Sequence, residues 1–328
     1  ARVWMPKNAN SQPVPAILEH LPYRKRDGTA HRDNLNHTWF ARNGYACVRT
    51  DMRGNGDSEG LMADEYLQQE LDDAISVIKW LSKQNWCTGS VGMMGISWGG
   101  FNSLQVAAIA PKELKAIISV CSSADRFADD IHYKGGCLLS ANFTWAGRML
   151  SYSSRPPDPM LFGSSWRSEW IKRLENLPLL ADIWLAHQRR SSYWQHGSVC
   201  QDYGAIKAAV LAFGGFHDGY RNTVAKLVTS LTSPVKGVIG PWNHRYPHLA
   251  EPEPRIGFLQ EGLRWWDRWL KGIKNGCDHE HGYRVFVMDS IKPERRFESR
   301  PGRWRNLSKS DLVAPSVKTL SLGVGTLG

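Results

Sequence analysis

The sequence lacks the residue patterns of disulfide scaffolds and of structural metal sites. Its 6 cysteines stand far apart in a chain of 328 residues, without a C-x-x-C pair, which indicates reduced thiols. The densest group of possible ligands, Cys277-Asp-His279-Glu-His281, lies in a polar connector without a second ligand pair. The loop Asp51–Asp57 resembles a calcium loop, but Arg53 and Met62 occupy ligand positions. We interpret both segments as structural loops and expect no metal.

The sequence also lacks a long apolar run and a leader. The stretch between Lys83 and Lys112 carries no charge, but glycines and polar side chains interrupt it, so it does not indicate a membrane span. The first residues, Ala-Arg-Val-Trp-Met-Pro, do not show the charged and then apolar pattern of a signal peptide. We expect a cytoplasmic location and no membrane contact, with a lost leader as the alternative.

Positively charged residues are in excess, but they are spread along the chain rather than clustered. The 41 Lys and Arg against 31 Asp and Glu give a net charge of +10, which by itself would allow nucleic-acid binding. The densest basic groups, Arg24-Lys25-Arg26 and Arg295-Arg296, are too short for a polybasic tail, and no nucleic-acid-binding motif accompanies them. We therefore expect a solvated basic surface and no nucleic-acid partner. The hydrophobic content of 42% excludes a disordered chain.

Short apolar strands alternate with amphipathic helices along most of the chain. Apolar side chains repeat at helical spacing from Leu67 to Leu81, for example, and a buried strand follows at 90–96. Further strands are predicted at 16–20, 45–50, 114–120, 208–214 and 235–240, and further helices at 102–110, 221–231 and 259–270. Such alternation requires crossover connections between parallel strands, so the predicted fold class is α/β.

Two segments break this alternation. Residues 122–205 are rich in Trp, Arg and Pro and contain a helical stretch near 165–174, which predicts an insertion between two core parts at 1–121 and 206–282. From 283 to 328 the pattern is strand-like without helical periods, so we predict the start of a β-rich segment there, cut short at its end.

The pentapeptide Gly95-Ile96-Ser97-Trp98-Gly99 matches G-x-S-x-G, the nucleophile elbow. A sharp turn from strand to helix needs small residues around the serine, and it exposes the hydroxyl at the helix N-terminus. The predicted strand before the motif and the predicted helix after it supply this context. We therefore predict Ser97 to be a nucleophile.

A catalytic serine needs a base and an orienting carboxylate, in the chain order Ser, Asp, His for this architecture. Asp218 and His244 each follow a predicted strand and so lie at its carboxyl end, where open α/β sheets place their sites. His217 and His248 are the rival bases. His217 adjoins Asp218 and points to the opposite side, and Pro247 breaks any helix that would pair His248 with His244.

Five stretches, taken together and in order, are similar to one known family. They are Leu21-Pro-Tyr-Arg-Lys25, Arg49-Thr-Asp-Met-Arg-Gly54 with Gly56-Asp-Ser58, Gly92-Met-Met-Gly-Ile-Ser-Trp-Gly-Gly-Phe101, Gly214-Gly-Phe-His-Asp-Gly219 and Gly240-Pro-Trp-Asn-His244. On these residues the chain resembles the CocE/NonD hydrolases, which include cocaine-esterase-like and cephalosporin-acylase-like enzymes within the X-prolyl dipeptidyl-peptidase superfamily. The similarity covers residues from about 14 to 290.

The resemblance implies an α/β-hydrolase fold and a serine acyl hydrolase with Ser97, Asp218 and His244 as its triad. It implies an oxyanion hole made of the Trp98 backbone N–H and the Tyr23 hydroxyl. It further implies a helical cap over 122–205 and a jelly-roll-like C-terminal domain that starts near 283. The family's C-terminal domain is much longer than the remaining residues, and its leading strands precede Ala1. We therefore expect the chain to be incomplete at both ends.

These patterns predict a hydrolase of carboxylic esters that works through an acyl-enzyme without a cofactor. An amide or peptide hydrolase, of the β-lactam acylase or X-prolyl peptidase type, is the first alternative. A non-catalytic binding module on the same fold is the second. The expected partner is a small acyl substrate, and the sequence does not predict an oligomeric state. Four aromatic residues of the insertion are candidates to line a pocket, although core packing is the more common role: Trp145, Trp166, Trp170 and Tyr193.

Overall fold

The computed structural model describes residues 1–280, 282–312, 322–323 and 326–327. The strands are β1 Arg2–Trp4, β2 Val14–Leu21, β3 Ala46–Asp51, β4 Cys87–Ile96, β5 Leu114–Val120, β6 Tyr133–Lys134, β7 Cys137–Leu138, β8 Ala209–Gly215, β9 Val235–Gly240, β10 Tyr283–Met288, β11 Gly302–Leu307, β12 Leu322–Gly323 and β13 Thr326–Leu327. The helices are α1 Ala30–Arg42, α2 Gln68–Ser82, α3 Trp98–Ile109, α4 Ala141–Ser153, α5 Pro159–Phe162, α6 Trp166–Glu175, α7 Leu180–Leu185, α8 Ser192–Gln195, α9 Thr223–Ser230, α10 Phe258–Leu270 and α11 Lys309–Leu312. Among these described helices, none combines the length and the apolar character that crossing a membrane requires.

The main sheet has the strand order β1-β3-β2-β4-β5-β8-β9-β10-β11. From β3 to β10 in that order all neighbouring strands pair in parallel, and β1 and β11 pair antiparallel at the two edges. The predicted α/β class with a parallel sheet is confirmed. Because the central strands are parallel, their carboxyl ends lie at one edge of the sheet, where the loops that follow them meet.

Alternate side chains of the strands pack into two apolar layers, one on each face of the sheet. Ile118 belongs to the layer that contains Phe40 of α1 and Trp266 of α10. Its neighbour Ile117 belongs to the layer that contains Leu104 of α3 and side chains of α2 and α9. Successive strand residues point to opposite faces, so covering both faces with helices makes each strand a nearly continuous apolar run.

Helix α1 is an element that the apolar pattern did not predict, because its inner face is polar. Asp33, His37 and Phe40 are buried at helical spacing. The His37 Nε2 atom lies 2.9 Å from Glu19 Oε2 on β2, and Arg49 Nε on β3 lies 3.2 Å from Asp33 Oδ2. Buried charges are tolerated when they are paired in this way. Polar contacts, among them the Arg49–Asp33 ion pair, therefore hold this helix on the sheet together with the apolar contact of Phe40.

Between β5 and β8 the chain leaves the sheet and forms helices α4 to α8 with the short hairpin β6–β7. These helices contact the loop after β3. The Trp184 indole donates to Asp64 Oδ1 at 3.1 Å, and the Arg173 guanidinium donates to the Gly56 carbonyl at 2.9 Å. Since that loop leaves the carboxyl end of β3, the insertion lies over the edge of the sheet where a site is expected. The boundaries 122–205 as those of a cap domain stay a prediction.

The strand Tyr283–Met288 differs from the predicted start of a separate β-rich segment. It pairs in parallel with β9, with Tyr283 opposite Gly237, and β11 then pairs with it, so both strands extend the main sheet. Backbone pairing does not depend on side-chain identity, so a strand pattern alone does not tell which sheet a strand joins. The jelly-roll-like domain stays a prediction. His281 of the predicted loop 277–281 and residues 313–321, 324–325 and 328 lie outside the described residues.

Candidate active site

Ser97 occupies a strained turn between β4 and α3. Its backbone has φ +57° and ψ −124°, a conformation that costs free energy for a residue with a side chain. The Ser97 amide donates to the Val120 carbonyl at 2.9 Å, which ties the turn to the neighbouring strand. A Cβ atom on Gly95 would lie 2.6 Å from the Cα atom of Gly99, so the turn leaves no space for a side chain there. This is the geometry of a nucleophile elbow, and it leaves Ser97 half-buried.

Asp218 and His244 come together from the loops after β8 and β9. The Asp218 side chain is buried, and its Oδ1 atom lies 2.9 Å from His244 Nδ1. Burial alone would raise the pKa of Asp218, but the hydrogen bond and the charge of His244 outweigh it and lower that pKa. An ionised carboxylate in this position holds the proton on Nδ1. The Nε2 atom of the imidazole is then free to accept a proton.

The two rival histidines make other contacts. The exposed His217 has its Nδ1 atom 2.5 Å from the Pro241 carbonyl oxygen. His248 has its Nε2 atom 3.1 Å from Asn36 Oδ1, and its ring stacks on Phe258. The structure therefore brings His244, of the three candidates, to the buried carboxylate.

Tyr23 and Trp98 meet beside Ser97. The Trp98 backbone N–H donates to the Tyr23 hydroxyl oxygen at 3.3 Å. The phenol ring is buried, stacked on Tyr152 and edge-on to Trp145. Burial raises the pKa of Tyr23 well above its usual value, so the hydroxyl keeps its proton. The Trp98 amide and the Tyr23 hydroxyl are thus hydrogen-bonded to each other beside the nucleophile, and their joint role as an oxyanion hole stays a prediction.

Cys121 is a neighbour of this site that sequence reasoning missed. Its Sγ atom, a carboxylate oxygen of Asp218 and a ring nitrogen of His244 lie within 4.8 Å of one another. Burial raises the pKa of the Cys121 thiol well above its usual value, so it stays protonated beside the carboxylate. A signal was present in the sequence, since Cys121 directly follows a predicted strand as Asp218 and His244 follow theirs.

Two groups of side chains in the described residues bring three possible metal-ligand atoms within 4.8 Å of one another: Cys121 with Asp218 and His244, and Glu19 with Asp33 and His37. In the first group the carboxylate and the imidazole are hydrogen-bonded to each other. In the second group both carboxylates face guanidinium groups, those of Arg32 and Arg49. A guanidinium already supplies the positive charge that a metal ion would bring, so the second group is better suited to ion pairing.

The two loops that the sequence assigned to structural roles hold their carboxylates against cations. Asp51 Oδ2 lies 2.9 Å from Lys25 Nζ, and its Oδ1 atom accepts the Lys25 backbone N–H at 2.8 Å. In the second loop, Asp278 Oδ2 lies 2.8 Å from an Arg268 nitrogen. The bonds from Asp51 also fix the backbone two residues beyond Tyr23, which positions the phenol at the site.

Glu70 of α2 lies behind the residue that follows the nucleophile. The Trp98 indole N–H donates to Glu70 Oε2 at 2.9 Å, and the Leu67 backbone N–H donates to Oε1 at 3.3 Å. Burial raises the pKa of Glu70 to about 8, although both hydrogen bonds favour the ionised form. Glu70 therefore anchors the Trp98 side chain, and the folded protein binds a proton there that the unfolded chain releases.

We expect Glu70→Gln to flatten the dependence of stability on pH. The pKa of Glu70 in the fold, about 8, lies above its usual value of 4.5, so its stabilising contribution is complete at low pH and is lost as the pH rises through about 8. The free energy of unfolding, from urea titrations at about pH 5 and about pH 8, should fall less between these values in Glu70→Gln. The difference should be on the order of a few kcal/mol at most. The control is Glu175→Gln, which changes an exposed carboxylate and should leave the pH dependence of the free energy of unfolding as in the wild type. A wild-type pH dependence in Glu70→Gln would contradict the raised pKa of Glu70.

An open cavity of about 270 Å³ leads to Ser97, Asp218 and His244. The rest of its lining is Ile131, Ala141, Thr144, Trp145, Arg148 and Gly219. Of the four aromatic residues proposed as pocket candidates, Trp145 lines this cavity. Trp166 and Trp170 stack on each other, and Tyr193 donates to Asp64. Most of these other lining residues belong to the insertion.

Comparison with known proteins relates this chain to one family. The sequence pattern of the X-Pro dipeptidyl-peptidase (S15) family matches residues 1–246. The cocaine esterase of Rhodococcus sp. (strain MB1 Bresler) is 28% identical over 311 residues, covering 84% of this chain and 54% of the esterase. The Xaa-Pro dipeptidyl-peptidase of Lactobacillus delbrueckii subsp. bulgaricus is 22% identical over 317 residues, covering 89% of this chain and 39% of the peptidase.

A crystal structure of a CocE/NonD family hydrolase from Staphylococcus aureus has the same fold. It superposes with a TM-score of 0.75 at 18% sequence identity, covering 98% of this chain and 55% of that chain. The chain thus spans about half the length of the cocaine esterase and of the S. aureus hydrolase. The predicted α/β-hydrolase fold is confirmed, and on the family match the chain belongs to the serine-type X-Pro dipeptidyl-peptidase (S15) family, in the superfamily of the CocE/NonD hydrolases.

Proposed function

We propose that the protein hydrolyses carboxylic esters through an acyl-enzyme formed on Ser97. The observation that carries this proposal is the cavity that Ser97 shares with His244, whose ring is hydrogen-bonded to the buried carboxylate of Asp218. A serine at an elbow, an imidazole with a free nitrogen and an orienting carboxylate are the three parts of acyl-transfer catalysis. The names of relatives, among them a cocaine esterase, support an ester as the substrate.

In the proposed mechanism the Ser97 Oγ atom attacks the ester carbonyl while His244 Nε2 takes its proton. The carbonyl oxygen becomes an oxyanion that accepts hydrogen bonds from the Trp98 N–H and the Tyr23 O–H. His244 then gives the proton to the leaving alkoxide, and the C–O bond breaks to leave the acyl-enzyme. Water, deprotonated by His244, then attacks the acyl carbonyl, and His244 returns that proton to Ser97 Oγ as the acyl C–O bond breaks, which releases the acid and regenerates Ser97. Asp218 holds the imidazole and stabilises its charged form throughout.

Amide or peptide hydrolysis is the second candidate, because the family and several relatives are named for X-Pro dipeptidyl-peptidase activity. The same triad cleaves amides when the leaving amine is protonated as it departs. Matched substrates separate the two functions: 4-nitrophenyl esters and 4-nitroanilides of the same acyl groups, with an Xaa-Pro 4-nitroanilide included. Because nitrophenyl esters are intrinsically more reactive than anilides, turnover of the esters without measurable cleavage of any anilide supports the proposal, and cleavage of the Xaa-Pro anilide in preference to the other anilides would replace it with the peptidase function.

We expect Tyr23→Phe to lower kcat by about 10²–10³, because it removes one donor to the oxyanion. The ring and its stacking on Tyr152 remain, so the melting temperature should barely change. Labelling of Ser97 by a fluorophosphonate should persist at a reduced rate. The matched control is Tyr152→Phe, which removes a hydroxyl from the adjacent ring and should leave kcat unchanged. Wild-type turnover in Tyr23→Phe would show that backbone amides alone hold the oxyanion.

A further inference from the structure

One face of helix α4 forms a wall of the cavity that contains Ser97. Four residues of this helix line the cavity at the spacing i, i+3, i+4 and i+7: Ala141, Thr144, Trp145 and Arg148. Residues at this spacing lie above one another on one side of a helix. The side chain of Arg148 is therefore directed to the cavity by the helical repeat itself.

Two sets of contacts hold this wall in place. Ala146 and Met149 are buried in the apolar layer that contains α1 and α10. The Trp145 indole N–H donates to Glu65 Oε1 at 3.2 Å. Because the buried side and the indole are both fixed, α4 cannot rotate without losing apolar burial and a hydrogen bond to a buried carboxylate. The face that carries Arg148 is thus a preformed part of the site.

Arg148 lacks the carboxylate partner that Arg126 and Arg190 of the insertion have. The Arg126 guanidinium lies 3.6 Å from Glu65, and that of Arg190 lies 2.9 Å from Asp125. Arg148 is exposed, and within the described residues its guanidinium has no hydrogen bond or ion pair. The carboxylate of Asp218 in the same cavity is already bonded to His244. The cavity therefore offers one guanidinium with all its donors free.

We propose that Arg148 binds a carboxylate of the substrate, so that the preferred esters carry a negative charge on their acyl or alcohol part. This inference rests on the proposed esterase function and specifies its substrate class. A guanidinium donates two parallel N–H bonds to a carboxylate, which orients the substrate as well as attracting it. The largely apolar remainder of the wall, with Trp145 and Ile131, suits the carbon chain between the carboxylate and the ester. Arg148 is a specificity residue and takes no part in bond breaking.

Two pairs of esters test this inference. In the first pair the acyl group differs, 4-nitrophenyl hexanoate against the 4-nitrophenyl monoester of adipic acid. In the second pair the alcohol differs, phenyl hexanoate against its 4-carboxyphenyl counterpart. For at least one pair, Arg148→Ala should lower the ratio of kcat/KM for the anionic ester to that for the neutral ester by about tenfold. Arg148→Lys should restore part of the ratio, and added salt should lower it in the wild type.

Arg167→Ala is the matched control, because it removes the same charge from α6, where the guanidinium lies over the Trp166 ring. It should leave both ratios and the basal turnover unchanged. As a readout independent of turnover, adipate should slow fluorophosphonate labelling of Ser97 in the wild type and not in Arg148→Ala. Unchanged ratios and unchanged protection in Arg148→Ala, or an equal effect of Arg167→Ala, would overturn the inference. No turnover of any of the four esters and no label on Ser97 would overturn the proposed function instead, and this inference with it.

Discussion

Ser97→Ala is expected to abolish both ester turnover and covalent labelling. The elbow places this hydroxyl in the cavity with the imidazole, and removing a nucleophile of this kind lowers kcat by on the order of 10⁶. Intact-mass spectrometry after treatment with a fluorophosphonate should show one adduct per chain in the wild type and none in the variant. Because Ser97 is only half-buried, the melting temperature should stay close to that of the wild type.

Ser76→Ala provides the control for this experiment. Ser76 is exposed on α2, and its Oγ atom donates to the Asp72 carbonyl within the same helix, so labelling and turnover should match the wild type. An adduct on another serine, together with activity in Ser97→Ala, would contradict the assignment of the nucleophile. Absence of both label and turnover in the wild type would favour a binding module on this fold.

Asp218→Asn is expected to leave the fold intact and to lower kcat by on the order of 10⁴. The carboxylate accepts a hydrogen bond from His244 Nδ1, whereas an amide stabilises the tautomer that carries the proton on Nε2 and cannot act as a base. Steady-state kinetics with an ester, beside circular dichroism and the melting temperature, separate lost catalysis from lost folding. His244→Ala should be comparably inactive, and the double variant should be little worse because triad members act as a unit.

The rival histidines supply the comparison for that second experiment. His217→Ala and His248→Ala should each keep turnover near the wild-type value, since their rings contact Pro241 and Asn36 rather than Asp218. Loss of turnover in either variant, with activity retained in His244→Ala, would show that the base was misassigned.

The central sheet could be predicted from local sequence because its strands are buried on both faces. The predicted strands 114–120 and 235–240 coincide with β5 and β9, and the predicted helix 67–81 differs from α2 by one residue at each end. The apolar pattern is strong in these segments because the side chains that they bury are mostly apolar. Helix α1 shows the limit of that signal, since the residues on its inner face include Asp33 and His37, which a polarity pattern assigns to solvent.

The positions of the candidate triad could also be predicted, because each residue follows a strand. Parallel strands end at one edge, so Ser97, Asp218 and His244 were expected to meet without any knowledge of distances. Their catalytic roles remain proposals that the variants above test. The contacts that support these residues could not be predicted from the positions of the strands. Glu70 on α2 accepts a hydrogen bond from the Trp98 indole on α3, and the sequence around neither residue indicates this pairing.

By itself the sequence determined the fold class, the elbow and the order of the candidate residues, because short-range periodicity and turn chemistry encode these features locally. The tertiary structure alone decided the contacts between distant segments. It showed that the strand from Tyr283 extends the main sheet and that α4 faces the nucleophile with Trp145 and an unpaired Arg148. Backbone pairing and helix docking depend on how segments far apart in the chain pack together. No local pattern of residues records that packing.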